Sequence, residues 1–237
     1  MLLEVTNLDA GYGFLQILRE VSIQVEKGEY VCLVGANGSG KSTLLKTIAG
    51  HVKLTKGQIH FMGQPIAGLP ANRVARMRIA YVPEELHLFV NMTVEDNLLM
   101  GGYTVKDKSA KKESLQFVYE LFPVLKDRKK QLAGTMSGGE RKMLAIGRGL
   151  MLNPTLLLVD EPSFGLAPQV TETVFDSLNA LKKVGLTILL VEQDVTKAFS
   201  VTDRGYVLEN GKIELTGKSS ELADDPFVKK AFLGYSS

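Results

Sequence analysis

GANGSGKS, residues 35–42, stands directly after the apolar run YVCLV and opens the segment STLLKTIAG. Its spacing fits the glycine-rich phosphate-loop pattern, and a strand before it with a helix after it is the context that gives the pattern its mechanism. Gly35, Gly38 and Gly40 let successive backbone N–H groups curl around phosphate oxygens, and the helix N-terminus adds a favourable dipole. Lys41 sets a cation on the outer phosphates, Asn37, Ser39 and Thr43 complete the cradle, and Ser42 offers a hydroxyl to Mg2+. The stretch predicts a nucleoside-triphosphate tail as ligand, with ATP and Mg2+ the expected pair, on a P-loop α/β fold.

A second stretch, LLLVDEP at 156–162, reads as a buried strand ending in two carboxylates. Asp160 at the strand tip suits the Mg2+ shell, directly or through water. Glu161 is placed to polarise a water for in-line attack on a γ phosphate.

MSGGERKMLAIGRGLM, from Met136, adds a second anion site. Ser137 is a natural N-cap, Gly138 and Gly139 leave N–H groups uncovered, and a helix runs on from Glu140. One chain holding one nucleotide does not need two such sites. A dimer, in which Ser137, Gly138 and Gly139 read the γ phosphate held by the other subunit's loop, gives the second one a purpose.

Elsewhere the chain alternates strand and helix patterns. The first 34 residues alternate apolar and polar positions around turns, predicting an antiparallel β subdomain that feeds a buried strand. QIHFMGQPI around Gly63 and RGYVLENGKIELTG around Asn210-Gly211 read as hairpins, the latter with a type I′ turn. TLLLVD, TETVFDSLNALKKVG and TILLVEQD alternate as strand, helix and strand, which implies a mainly parallel sheet with nucleotide chemistry at its carboxyl ends. Residues 93–152 are helical in period and read as an inserted α-helical subdomain. Residues 1–92 and 153–237 then form the nucleotide-binding core, and the whole chain, 1–237, is one nucleotide-binding domain.

Composition narrows the setting. The chain has 237 residues and a net charge of +2, which gives no general pull towards nucleic acid. Cys32 is the only cysteine, stands in an apolar run and reads as a small buried hydrophobe, so disulfides are excluded and a reducing compartment fits. The N-terminus MLLEVTNLDA lacks a basic n-region, and no apolar run approaches the ~20 residues of a membrane span. Any membrane role is expected to go through a partner. Lys106, Lys108, Lys111 and Lys112 read as a solvated face, Met143 and Phe117 as core, and His51, His60 and His87 carry no metal-ligand spacing.

The three stretches together resemble the nucleotide-binding subunit of ABC transporters, end to end, with SGGE as that family's signature motif. By this resemblance Tyr12 falls where an aromatic residue stacks on adenine. Three positions depart from the family pattern. YVPEE puts Glu84 where a glutamine is usual, facing Mg2+ and the reacting phosphate. SFGLAP puts Ala167 where an aspartate is usual. TILLVEQD puts Gln193 at the switch histidine, where an amide can hydrogen-bond the γ phosphate but cannot gain a proton.

Those departures, with MLAIGRGLM, DRGYVLENG and DPFVKKAFLG, are similar to the second ATPase of importers for branched-chain amino acids and their amide or urea relatives. The resemblance implies a second ABC ATPase subunit as partner, in a heterodimer or else a homodimer. It also implies integral membrane permease subunits and, indirectly, a periplasmic substrate-binding protein. The expected place is cytoplasmic, peripheral on the inner face of the plasma membrane, with no nucleic-acid partner. A soluble ABC ATPase working on ribosomes or DNA is the alternative, although such relatives usually fuse two cassettes or insert a long coiled coil. A weakly hydrolysing ATP-dependent switch is another.

Overall fold

The computed structural model describes residues 1–232. In chain order the elements begin β1 (Leu3–Tyr12), β2 (Leu15–Val25), β3 (Tyr30–Val34), α1 (Lys41–Ile48), β4 (Leu54–Phe61), β5 (Gln64–Pro65), α2 (Ala71–Arg76), β6 (Ile79–Val82), α3 (Val94–Gly101) and α4 (Lys108–Leu121). They continue with α5 (Pro123–Asp127), α6 (Gly138–Leu150), β7 (Leu156–Asp160), α7 (Pro168–Lys183), β8 (Thr187–Glu192), α8 (Val195–Val201), β9 (Arg204–Glu209), β10 (Lys212–Lys218), α9 (Ser219–Leu222) and α10 (Pro226–Phe232). The chain forms two compact units, Met1–Val74 with the chain from Thr187 onward, and Ala75–Leu186.

In the first unit, β1 pairs antiparallel with β2 and β4, and β4 pairs with β5, giving the antiparallel N-terminal sheet expected from the alternating pattern. The β4–β5 turn uses Met62 and Gly63 at φ 51° and 74°, the paired positive values a type I′ turn demands. Asn210 and Gly211 do the same between β9 and β10 at φ 47° and 80°. β3 runs parallel to both β8 and β9. Every residue of β3 and β8 is buried, so these strands read as unbroken apolar runs. Cys32 lies in this core and burial pushes its thiol up to about 12, which leaves it inert.

In the second unit β6 and β7 pair in parallel, with Tyr81 opposite Leu158 and Val82 opposite Val159. Residues 93–152 contribute helices α3 to α6 to the same unit, with α6 packed against β6 and α3, α4 and α5 packed against α6. α6 packs closely because it carries glycines: a Cβ on Gly147 would come 2.8 Å from Val118, one on Gly149 3.2 Å from Val82, and one on Gly139 2.2 Å from Val170 of α7. One expectation fails here. Phe117 is 36% exposed while Val118 and Tyr119 are the buried residues of α4, because one step along a helix turns the side chain by about 100°. Met143 is only half-buried. Lys106, Lys108 and Lys112 stand in solvent with Lys111 half-buried, and His51 and His87 are exposed. Among the described residues no helix is long and apolar enough to cross a membrane.

Candidate functional site

The phosphate-loop residues come together in the first unit between the buried end of β3 and the first turn of α1. Gly38 and Gly40 take φ 79° and 110°, values that L side chains rarely adopt. At Gly35 the constraint is space, since a Cβ there would lie 2.2 Å from the Leu208 carbonyl oxygen of β9. The Gly211 N–H donates to the Ser39 carbonyl at 3.0 Å, so the β9–β10 turn holds the loop from outside. Lys41 is 4% exposed, and its ammonium donates to the carbonyls of Gly35 at 2.9 Å and Ala36 at 3.2 Å. The cation is thereby fixed at the loop, while Ala36, Asn37 and Gly38 stay exposed. Thr43 is buried and Ser42 half-buried in the first turn of α1.

Two other expected residues of this unit lie at its surface. Tyr12 ends β1 at the tip of the β1–β2 hairpin and is 49% exposed. Gln193 follows β8 directly and is exposed, its N–H donating to the Glu192 carboxylate at 3.2 Å.

The second unit gathers the acids. Parallel pairing of β6 and β7 brings YVPEE and LVDEP side by side, and the Tyr81 hydroxyl donates to Asp160 Oδ2 at 2.9 Å. Asp160 is 2% and Glu161 7% exposed. Glu161 takes φ 43°, an uncommon left-handed conformation for a residue with a Cβ. The buried Lys142 ammonium donates to the Glu161 carbonyl at 3.1 Å. Burial first, then the charges of Glu161 and Asp160, hold the Glu84 carboxyl above the usual range, while Lys142 pulls the other way. Glu84, Asp160 and Glu161 thus lie close enough within this unit for their charges to act on one another, with the Lys142 ammonium beside them. Hydroxyl and carboxylate oxygens are what Mg2+ takes, and by chemistry alone Ser42 offers the one in the first unit while Asp160 and Glu84 offer the other in the second. Among the described residues no three His, Cys, Asp or Glu are gathered as metal ligands, and Mg2+ carried largely by phosphates needs no such group.

At the start of α6, Ser137 is exposed and closes a capping box: its hydroxyl accepts from the Glu140 N–H, and the Glu140 carboxylate accepts from the Ser137 N–H at 2.9 Å. That backbone donor chiefly, together with the Ser137 hydroxyl and Arg128 at 3.1 Å, holds the Glu140 carboxyl below its usual range. Gly138 is exposed beside Ser137, and Gly139 is buried against Val170. Ala167 is the N-cap of α7 and supplies no side-chain bond.

Sequence reading missed Tyr81, Lys142 and the Glu140 half of the capping box. S-x-x-E was there to be read. Nothing in the local sequence of Lys142 announces its bond to a residue 19 positions away.

Comparison with known proteins completes the picture. The family profile described as ABC transporter matches residues 18–164. The high-affinity branched-chain amino acid transport ATP-binding protein BraG of Pseudomonas aeruginosa is 47% identical, over 98% of this chain and 100% of its own. The probable branched-chain amino acid transport ATP-binding protein LivF of Archaeoglobus fulgidus is 39% identical, over 98% and 99%. Among solved structures, the ADP conformation of an ATP-binding cassette of an ABC transporter is similar, with TM-score 0.85, 29% identity and 99% of each chain covered.

Proposed function

Since this chain belongs to the ABC transporter family and is an ATPase of that family, we propose that it powers the import of branched-chain or related amino acids. In that role it is one of two paired cassettes beneath membrane permease subunits, on the inner face of the plasma membrane. The near-complete overlap with BraG at 47% identity is the observation that supports the substrate class. A substrate-binding protein on the far side of the membrane would deliver the amino acid.

The chain's own residues have distinct tasks in this reading. Backbone N–H groups at 35–42 and the Lys41 ammonium bind the triphosphate, and Tyr12 stacks on the base. Ser42, Asp160 and Glu84 hold Mg2+, which when bound neutralises phosphate charge. Tyr81 fixes the Asp160 carboxylate by its 2.9 Å bond. Glu161 orients and deprotonates the attacking water, and Gln193 donates an amide hydrogen bond to the γ phosphate. Ser137 and the N–H groups of Gly138 and Gly139 engage the γ phosphate of the partner cassette, so that ATP joins the two and hydrolysis releases them. Residues 93–152 pass that motion to the permease.

The test is steady-state phosphate release by the assembled complex, with Glu161→Gln as control, alongside identification of what co-purifies from detergent extracts. Loss of about 100-fold or more in rate, with permease subunits in the extract, is expected. Equal rates would remove Glu161 as the base and leave an ATP-dependent switch, a reading that Gln193 and Ala167 favour. Recovery with ribosomes or nucleic acid would overturn transport.

A further inference from the structure

The segment that follows Glu84 is held in an unusual way. Leu86 and His87 both take left-handed backbone conformations, φ 61° and 45°, which costs about 1–3 kcal/mol apiece unless the surroundings enforce them. Arg148, in the last turn of α6, supplies that enforcement. Its guanidinium donates one N–H to the Leu86 carbonyl and another to the His87 carbonyl, each at 2.6 Å, and lies 5.9 Å from the centre of the Phe89 ring. Two carbonyls and a ring face are the partners of this half-buried cation, an arrangement only a planar fork satisfies.

The far end of the same segment is held from α3. Asn97 is fully buried, its carbonyl oxygen accepts from the Phe89 N–H at 2.9 Å, and its amide donates to the carbonyls of Phe89 at 3.0 Å and Thr93 at 2.9 Å. α3 and α6 are themselves locked together, since a Cβ on Gly101 would stand 2.0 Å from the Arg148 carbonyl oxygen. Residues 86–93, separated from Glu84 by one residue, are therefore strapped at both ends onto one two-helix piece. That strap follows closely on Glu84, whose carboxyl feels the charges of Glu161 and Asp160, and shows the solvent Phe89 and Val90, 45% and 49% exposed.

We propose that Arg148 is a positioning residue that makes the Glu84 segment and the signature helix α6 move as one body. A shift of Glu84 is then carried to Ser137 at the other end of α6, and to the exposed Phe89 and Val90, without loss in a slack loop. The proposal rests on the ATPase reading above.

Amide hydrogen exchange on the full-length protein tests it, with Glu161→Gln as background so that ATP persists. Arg148→Lys keeps a cation but loses the fork. Exchange at Leu86, His87 and Phe89 is expected to speed up about tenfold without nucleotide, while exchange elsewhere in α3–α6 stays as it was. With Arg148 present, Mg-ATP should slow exchange at residues 85–92 and 137–141 together, and in Arg148→Lys only at 137–141. Unchanged loop exchange in Arg148→Lys, a joint response that survives the substitution, or faster exchange throughout α3–α6 would each overturn the proposal. If ATP alters neither segment while Arg148 is present, the ATPase reading fails instead, and the nucleotide-free loop rates still judge the tether.

Discussion

The Lys142 ammonium, on α6, donates at 3.1 Å to the main-chain carbonyl of Glu161. Both residues are more than nine-tenths buried, and Glu161 sits at φ 43°. A buried charge-assisted bond to a carbonyl fixes the peptide plane, and with it the direction in which the Glu161 side chain leaves the backbone. The signature helix thereby orients the carboxylate proposed as base.

Lys142→Met, which keeps the length of the side chain and removes the donor, is accordingly expected to lower kcat by about 10–100-fold, the equivalent of one hydrogen bond to a charged group. ATP affinity should stay within about twofold, because Lys142 is not among the groups proposed to bind the triphosphate. Phosphate release and equilibrium titration separate the two, and an unchanged kcat would show that Glu161 needs no such support.

Ser137 caps α6 and is proposed to meet the partner cassette, and two readouts of one substitution separate these roles. Ser137→Arg removes the cap of α6, a loss of about 0.5–2 kcal/mol, and should lower Tm by roughly 1–8 °C. It also places a bulky cation where the partner cassette is proposed to sit. ATP should still bind the monomer, while sedimentation of the Glu161→Gln background with ATP should show no dimer. A dimer of normal stability would contradict the role of Ser137 across the interface.

The fold was legible where the chain has no alternative. Residues 35–42 could be read because only glycine fits φ 110° at position 40 and the close approach at position 35. The turns at Gly63 and Asn210-Gly211 could be read because paired positive φ values restrict residue type severely. The end of β7 could be read because an unbroken apolar run of strand length stops there at two acids. What escaped was set by packing between distant positions. Tyr81 reaches Asp160 across 79 residues and Arg148 reaches His87 across 61, distances over which no local pattern carries information. Phe117 was misplaced for a different reason: Leu115, Phe117, Val118 and Leu121 mark overlapping stripes, and only the glycine-lined surface of α6 decides which one turns inward.

Glu84 gives a pH dependence whose sign follows from its surroundings. Its carboxyl is raised by burial and by Glu161 and Asp160, so between its ordinary value and its raised one the folded chain binds more protons than the unfolded chain. The stability that Glu84 contributes is complete below the ordinary carboxylate range and is lost as pH rises through the raised value. Glu84→Gln removes the charge and keeps the shape. Its Tm should match the parent at about pH 4 and exceed it by roughly 1–2 °C at pH 8, a small gap because solvent screens a half-exposed group. A gap that closes as pH rises would reverse the assignment.

Gly139 offers the most direct test of how the signature helix is seated. It lies in the first turn of α6 against α7, where a Cβ would come 2.2 Å from Cγ1 of Val170 and 3.4 Å from its Cβ. Helical backbone accepts alanine readily, so the cost of Gly139→Ala is overpacking alone, about 1–3 kcal/mol, or roughly 2–12 °C in Tm. The atom in the way is the end of one side chain, so shortening that side chain should undo the damage. Gly139→Ala with Val170→Ala is expected to recover more than half of the lost Tm, a positive coupling that two independent sites would not show. ATP-driven dimerisation should fall in the single variant and return in the double one, since the N–H groups of Gly138 and Gly139 are aimed by this contact. Recovery of Tm without recovery of dimerisation would mean that position 139 has to be glycine for the sake of the partner's phosphate and not for the packing of α7.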